Sequence, residues 1–220
     1  MKCSVLLMAV LLLCSTSCKK ADNNFNARIS FLNGAIGAAD FTIKFNDDIA
    51  IGKIPFDTLK LYSSVPSGTF KIGFYQGVAL SPDFSFTTNI ESGVDYTCFT
   101  FDSVRKYTVF FQKDALPAKV SAGRCAIRFF SLIPNTTGLR LVNDTGKTIL
   151  SGKTFASYPN TFEEVDTTSR LIKMFRDTTV VAVDSIFKPL VSGKIYTVFL
   201  TGSIGGIGTE KPKLIFWNHN

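Results

Sequence analysis

The side chains that carry most enzyme chemistry are scarce in this chain of 220 residues. It has one histidine, His219, and only four glutamates. A Ser–His–Asp triad or a Cys–His pair would have to use His219, and no second histidine is present to share a metal ion. The nucleophile-elbow pattern G-x-S-x-G does not occur either. The sequence therefore predicts no catalytic residue, no metal site and no cofactor, and it predicts that His219 is an exposed residue of the C-terminal tail.

Two further segments have compositions that elsewhere bind ligands. The glycine-rich residues 202–208 are followed by Pro212 and a strand-like run, whereas a phosphate-binding loop needs a helix N-terminus behind it. The acidic residues 47–48 and 163–166 lack the alternating ligand positions of a calcium loop. We therefore interpret the glycine-rich segment as a hairpin connection and the acidic segments as solvated turns.

The N-terminal residues 1–17 predict a secretory signal peptide. Lys2 precedes an apolar run over residues 5–13, and small residues follow it. This run is too short to cross a bilayer. No other stretch of the sequence approaches 18 apolar residues, so no transmembrane helix is expected.

The next residue, Cys18, resembles the acylated cysteine of a bacterial lipobox. The run Ser17-Cys18-Lys19-Lys20 is similar to that of Bacteroidota-type lipoproteins, although Ser15 stands where an aliphatic residue is usual. The resemblance implies that Cys18 carries several acyl chains and anchors the protein firmly in the outer membrane, facing the periplasm or the medium. Residues 18–26 would then be the lipidated cysteine and a polar tether. The alternative is cleavage near Ser17 and a soluble secreted protein.

Internal similarity predicts two tandem domains. The segment SGVDYTCF at residues 92–99 matches SGKIYTVF at residues 192–199, and two further blocks match in the same order at nearly the same offset. A repeat of about a hundred residues has the size of a domain. We expect a first domain over residues 27–116, a linker over residues 117–123 and a second domain over residues 124–220.

Both repeats have the two-residue period of β-strands. Phe41, Ile43 and Phe45 alternate with polar residues, as do Phe70 and Phe74 around Ile72. Turn residues recur every 8–12 positions, and no segment shows a helical apolar stripe. The pattern predicts an all-β protein with two tandem immunoglobulin-like antiparallel β-sandwich domains. Cys98 and Cys125 lie in strand-like apolar runs of the sequence, so we expect two buried free thiols. A disulfide is the alternative in an oxidising compartment.

The chain resembles a known family in its strand and turn residues. The segments ARISFLNGAIGAADFTIKFNDDIAIGKI, YSSVPSGTFKIGF and ESGVDYTCF are similar to a repeat of the family called domain of unknown function 4397. The second half resembles a more divergent copy, in which Val165-Asp166-Thr167-Thr168-Ser169 replaces the V-P-x-G turn. This resemblance implies a fold and no particular activity.

Candidate contact residues come from aromatic side chains near strand ends. The net charge is +7, and the basic residues are dispersed, so nucleic acid is not an expected partner. Aromatic rings next to turns could stack on sugars, and the alternative is that they cover the rims of the cores. The candidates for ligand stacking are Tyr62, Tyr75, Tyr158 and Trp217.

Asp is followed by Ser or Thr at six of its 13 positions. Five of these sites continue in a way that resembles the O-glycosylation sequon of secreted Bacteroidota proteins. Asp, Ser and Thr are also ordinary turn residues, which is the competing explanation. The predicted glycosylation sites are Thr58, Ser103, Thr167, Thr178 and Ser185.

These features together favour a lipid-anchored envelope protein that binds or scaffolds without catalysis, with a glycan or an envelope protein as its ligand. The alternative is an adhesin or fimbria-like structural subunit, in which strand addition links copies. A hydrolase is disfavoured by the scarcity of His and Glu.

Overall fold

A computed structural model describes residues 27–102, 107–155, 157, 159–168 and 170–220. The predictions for the signal peptide, the tether, Cys18, Ser103 and Tyr158 fall outside this part. The described chain is built of β-strands, with one 3-10 turn at Gly208–Glu210. None of its helical segments is long and apolar enough to cross a membrane.

The first half of the chain forms two four-stranded sheets. Sheet A has the strand order β4-β1-β7-β8, in which β1 and β7 are parallel, and sheet B has the order β3-β2-β5-β6. The strands are β1 (Ala27–Gly34), β2 (Phe41–Phe45), β3 (Ile49–Ile54), β4 (Thr58–Val65), β5 (Gly68–Gln76), β6 (Phe84–Ile90), β7 (Asp95–Asp102) and β8 (Tyr107–Lys113).

The second half repeats this arrangement. Sheet C has the order β12-β9-β15-β16 with β9 and β15 parallel, and sheet D has the order β11-β10-β13-β14. The strands are β9 (Arg124–Ser131), β10 (Leu139–Asn143), β11 (Thr148–Lys153), β12 (Glu163–Asp166), β13 (Leu171–Arg176), β14 (Ala182–Phe187), β15 (Ile195–Thr201) and β16 (Lys213–Asn218). The two units therefore share one strand order, while descent from a duplicated unit stays a prediction.

The all-β class and the two sandwich-like units are confirmed. The strand order within each unit is not the ABED and CFG order of immunoglobulin constant domains. Here the first and seventh strands pair in parallel at the centre of one sheet, and each unit has eight strands. The alternating pattern along the sequence predicts strands and their buried faces, but it does not distinguish between these pairings.

Each unit has its own core between its two sheets. The predicted alternation holds in the first core, where Ile29, Phe31, Phe41 and Ile43 are buried. The second core is formed by the equivalent strands and includes Leu139, Leu141, Met174 and Val198 as buried members.

Cys98 and Cys125 are buried free thiols, as expected, and they lie in different cores. A disulfide between them is therefore excluded in this fold. Burial raises the pKa of Cys98 well above its usual value and raises the pKa of Cys125 to about 12.

The central strands of sheets A and C are buried on both faces, which the alternating pattern does not predict. The residues that alternate with the core positions form a third apolar cluster between the units. In this cluster the ring of Phe99 lies 5.0 Å from Phe130 and 5.6 Å from Phe199, measured between centroids. The four sheets therefore stack in the order B, A, C, D, and the two sandwiches share an interior.

The strands of both units run along a common direction, which defines two ends. Arg28 pairs with Asp95 at the end where the described chain begins, and we call this the proximal end. Arg128 of β9 donates a hydrogen bond to Thr97 near this end of the first unit. The start of β9, at Arg124, therefore marks the proximal end of the second unit. Gly34 and Thr201 lie at the opposite, distal end.

Gly34 allows the closest approach of the two units at the distal end. A Cβ atom at this position would lie 2.7 Å from Leu132 Cδ1 and 2.9 Å from the carbonyl oxygen of Thr100. The carbonyl oxygen belongs to the backbone of the neighbouring strand, so it cannot move aside easily. Glycine at this position therefore lets sheets A and C pack in contact.

We predict that Gly34→Ala lowers the free energy of unfolding by about 1–3 kcal/mol, because the added methyl group overpacks the contact between the units. The matched control is Gly52→Ala in β3, where a Cβ would meet no atom within 4 Å. The control should change stability by no more than about 0.5 kcal/mol. Urea unfolding followed by the fluorescence of Trp217, the single tryptophan, measures both. Equal stability of the two variants would contradict the close approach at Gly34.

Candidate functional site: the interface between the units and its distal cleft

A buried ion pair joins the two units at the proximal end. Arg128 Nη2 in β9 lies 2.7 Å from Asp114 Oδ1, which follows β8, and both side chains are fully excluded from solvent. The hydroxyl of Thr97 donates to the same carboxylate oxygen at 2.6 Å. The rings of Phe130 and Phe162 lie 5.0 and 4.7 Å from the guanidinium carbon. Burial lowers the pKa of Arg128, and the neighbouring Asp114 carboxylate opposes this shift.

A chain of hydrogen bonds closes a ring around this ion pair. Tyr62 donates its hydroxyl proton to Asp114 Oδ2 at 2.8 Å, and its oxygen lies 3.0 Å from His219 Nδ1. Thr197 Oγ1 lies 2.7 Å from His219 Nε2 and accepts hydrogen bonds from Arg128 Nε and Nη2. Because Tyr62 gives its proton to the carboxylate, we assign the ring proton of His219 to Nδ1, and Thr197 then donates to Nε2.

His219 is therefore part of the interface, and its prediction as an exposed tail residue is wrong. Its ring centroid lies 3.8 Å from that of Trp217. Burial lowers the pKa of His219 to about 3, assisted by the positive charge of Arg128 and opposed by Asp95. The imidazole is neutral at ordinary pH, where it links Tyr62 to Thr197 in this arrangement.

The three predicted sugar-stacking residues that the structure describes do not form an exposed platform. Trp217 is 1% exposed and Tyr75 is 3% exposed, so neither ring face is open to a sugar. Trp217 fills the space between the units, and Tyr75 bonds to Asp47 under the ammonium of Lys44. Tyr62 is held in the polar ring. These corrections share one cause, which is that aromatic residues near strand ends cover apolar surface here.

The distal end of the interface is held by a second set of polar contacts. Asp57, in the turn between β3 and β4, forms an ion pair with Lys213 of β16. The same carboxylate accepts a hydrogen bond from the hydroxyl of Thr201. The units are therefore joined by charged groups at both ends, with the aromatic cluster between them.

An open cleft of about 590 Å³ lies beside this distal contact, between the two units. It is lined by three segments, two from the first unit and one from the second, with Ala38, Asp40, Pro55, Phe56, Asp57, Thr58, Gly208, Thr209, Lys211, Pro212 and Lys213 as its walls. Clefts at domain boundaries are common binding sites.

The walls of the cleft combine an apolar surface with unused polar groups. Phe56 is half-buried, and it lines the cleft together with Pro55 and Pro212. The carboxylate of Asp40 and the ammonium of Lys211 have no hydrogen-bond or ion-pair partner within the described part of the chain. Such a surface offers a ring face together with one acceptor and one donor. The sequence does not predict this site, because its walls come from segments about 150 residues apart.

Two predicted segments are structural in the described residues. A Cβ at Gly202 would lie 2.3 Å from the carbonyl oxygen of Lys211, so the glycine-rich connection packs tightly against the backbone that follows it. Asp166 pairs with Arg124 and Lys147. No group of three or more potential metal ligands occurs among the described residues.

The predicted glycosylation sites differ in accessibility. Thr58, Thr178 and Ser185 are exposed, and Thr58 lies on the wall of the cleft. Thr167 is half-buried, and its hydroxyl donates a hydrogen bond to the carbonyl oxygen of Gly123 at 2.9 Å. Modification of these hydroxyls stays a prediction.

Comparison with known proteins gives a family and two remote structural likenesses. The family model described as domain of unknown function DUF4397 matches residues 27–142. The TIE protein of Bacillus anthracis is 12% identical over 80% of this chain and 33% of its own length, with a TM-score of 0.24. A DUF3823 family protein from Bacteroides ovatus is 10% identical over 76% of this chain and 100% of its own, also with a TM-score of 0.24. This chain therefore spans a third of the TIE protein. No curated protein matches the chain.

The lowered pKa of His219 predicts a loss of stability in mild acid. Between its ordinary pKa of 6.5 and the folded value of about 3, the unfolded chain binds a proton that the folded chain does not, so the free energy of unfolding falls as pH falls. The expected loss from His219 between pH 7 and pH 5 is about 2 kcal/mol. Urea unfolding across this range measures it, with His219→Gln as the control that lacks the titrating group. An equal decline in both proteins would contradict the buried neutral imidazole.

Proposed function

Since the chain belongs to the family of domain of unknown function DUF4397, we propose that it is a lipid-anchored, non-enzymatic binding protein of the cell envelope whose ligand site is the distal cleft. The observation that carries the proposal is the position of this cleft. Both units contribute its walls, and it opens at the end opposite Ala27, from which the tether leads back to Cys18. A ligand outside the anchoring membrane would meet this end of the molecule first.

The chemistry of the cleft favours a carbohydrate. The Phe56 ring, together with Pro55 and Pro212 of the same lining, suits the apolar face of a sugar ring. The Asp40 carboxylate and the Lys211 ammonium suit its hydroxyl groups, which both donate and accept hydrogen bonds. Asp57 and Lys213 neutralise each other, so the lining has no excess of either charge. A neutral or weakly charged glycan fits this balance better than a polyanion.

The absence of catalysis is supported by the state of the usual nucleophiles and bases. The imidazole of His219 is neutral and engaged at both nitrogens, and it lies at the proximal end, away from the cleft. Burial raises the pKa of both described cysteine thiols, which lowers their reactivity. Neither type of group reaches the cleft walls.

A protein partner is the second candidate at the same end. Val78 and Leu80 lie in the loop between β5 and β6 and are 98% and 100% exposed. Val180 and Val181 occupy the equivalent loop of the second unit and are also exposed. Apolar loop tips that project together from one end favour contact with another macromolecule.

We predict that a glycan-array screen with the chain from residue 19 identifies a carbohydrate, and that Phe56→Ala and Asp40→Asn each weaken its binding by about tenfold or more, measured by calorimetry. Phe187→Ala is the matched control, because this aromatic side chain is 69% exposed and lies on β14, outside the cleft. Loss of binding in the control, or unchanged binding in both cleft variants, would contradict the site.

The anchor is tested separately. We predict that the native chain fractionates with membranes and that Cys18→Ser releases it, because the acyl chains are lost. Intact-mass measurement of the native protein should show the added acyl chains, and any further mass in hexose steps would identify glycans on sites such as Thr58. Protease treatment of intact and lysed cells then distinguishes a surface from a periplasmic location. A soluble wild-type protein would contradict the lipid anchor.

A further inference from the structure

The eight sheet edges in the described part of the chain are protected unequally. Exposed strand edges commonly carry charged residues that discourage pairing with another chain. The protected edge strands are β3 with Lys53, β4 with Lys60, β11 with Lys153, β12 with three acidic residues, β14 with Asp184 and β16 with Lys213. Strand β6 has no charged residue, and β8 has only Lys113 at its last position.

Strand β6 and the uncharged residues 107–112 of β8 flank one groove on the first unit. This groove measures about 400 Å³ and is lined by Phe84, Ser85, Phe86, Tyr107, Thr108 and Val109. The lining therefore contains aromatic and aliphatic side chains and no charge. It runs between the free edges of sheets A and B.

In the second unit, a carboxylate bridges the equivalent gap between the free edges of sheets C and D. In β14, Asp184 lies opposite Met174, and its side chain accepts a hydrogen bond from the backbone N–H of Leu214 in the edge strand β16 at 2.7 Å. In the first unit Phe84 holds the position of Asp184, since it lies opposite Phe74. The first unit therefore has no carboxylate at the position where Asp184 of the second unit accepts a hydrogen bond from the edge strand.

The position of Leu214 is taken by Val109 in the first unit. Val109 lies opposite Thr100, as Leu214 lies opposite Leu200. The N–H of Asp114 points toward β7, where it donates to Asp95. Because successive residues of an antiparallel strand alternate in direction, the N–H groups of Val109 and Phe111 point away from β7, toward the open edge.

We propose that β8 pairs in antiparallel orientation with β8 of a second copy of this chain, so that the two A sheets join into one sheet of eight strands. The strand is complementary to itself in this orientation. With the two-fold axis at Phe110, Val109 faces Phe111 of the other copy, and Lys113 faces Tyr107, so no like charges meet. The apolar residues of each groove then extend into the other copy.

This contact forms a closed dimer. Each copy uses the same strand in this two-fold contact, so the pairing is complete after two copies and does not propagate through β8. The dimer is therefore distinct from a fimbria-like polymer. It does not depend on the identity of the ligand in the distal cleft, which lies between the two units of one chain.

Sedimentation velocity of the chain from residue 19, at low to high micromolar concentrations, tests the contact. We expect a monomer–dimer equilibrium. Phe84→Asp places a carboxylate where the second unit has Asp184, and it should raise the dissociation constant by about tenfold or more. Phe84→Leu keeps the groove apolar and should leave the dimer intact. A monomer at every concentration would overturn the proposal.

Hydrogen exchange locates the contact without relying on a variant that must fold. In the wild-type chain, peptides covering residues 107–113 should gain protection as the concentration rises, whereas peptides covering residues 213–218 should not. A dimer without added protection in β8, or one that persists in a folded Phe84→Asp variant, would place the contact elsewhere and overturn the proposal.

Discussion

The burial of both faces of the central strands in sheets A and C is the constraint on which the rest of the structure depends. Apolar association between the sheets is strong but has no preferred register, because the hydrophobic effect is non-directional. The charged contacts provide the register. Arg128 and Asp114 fix the proximal end, and Asp57 with Lys213 fixes the distal end. Removing one partner of a fully buried ion pair typically costs about 3–5 kcal/mol, because the other charge is left without compensation.

This joining of the units also determines what the cleft can do. In a site between two domains that move independently, part of the binding free energy would be lost in ordering the domains each time a ligand bound. Here the walls of the cleft are attached to sheets held together at both ends, so the site is formed before the ligand arrives. Pre-organisation of this kind improves affinity without adding contacts. The same rigidity keeps the cleft pointed away from the end at which the described chain begins.

The sequence predicts one face of each strand well and the other face poorly. Ile29, Phe31 and Cys98 follow the two-residue period and occupy the core of the first unit. The same rule assigns the intervening residues to solvent, and it therefore misplaces Arg128 and Trp217. A signal for the second buried face was available, since the strands around Phe99, Phe130 and Phe199 read as nearly continuous apolar runs, as strands buried on both faces do. The distal cleft had no such signal, because no local pattern brings Asp40 near Lys211.

Equivalent positions of the two units show how one strand order can serve two roles. Sheets A and C meet through corresponding faces, so in a symmetric interface between identical units a contact between two different positions would occur twice. Arg128 in β9 corresponds to Ser30 in β1, because Arg128 lies opposite Thr197 and Ser30 lies opposite the equivalent Thr97. His219 corresponds to Asp114, because each donates its backbone N–H across the equivalent strand pair. The Arg128–Asp114 contact occurs once, as an ion pair, because Ser30 and His219 hold the corresponding positions. Phe84 and Asp184 are a second case of different side chains at equivalent positions, here at the free edges of the sheets. Asp184 bonds to the edge strand β16 of the second unit, whereas Phe84 leaves the equivalent edge strand β8 available for the proposed pairing.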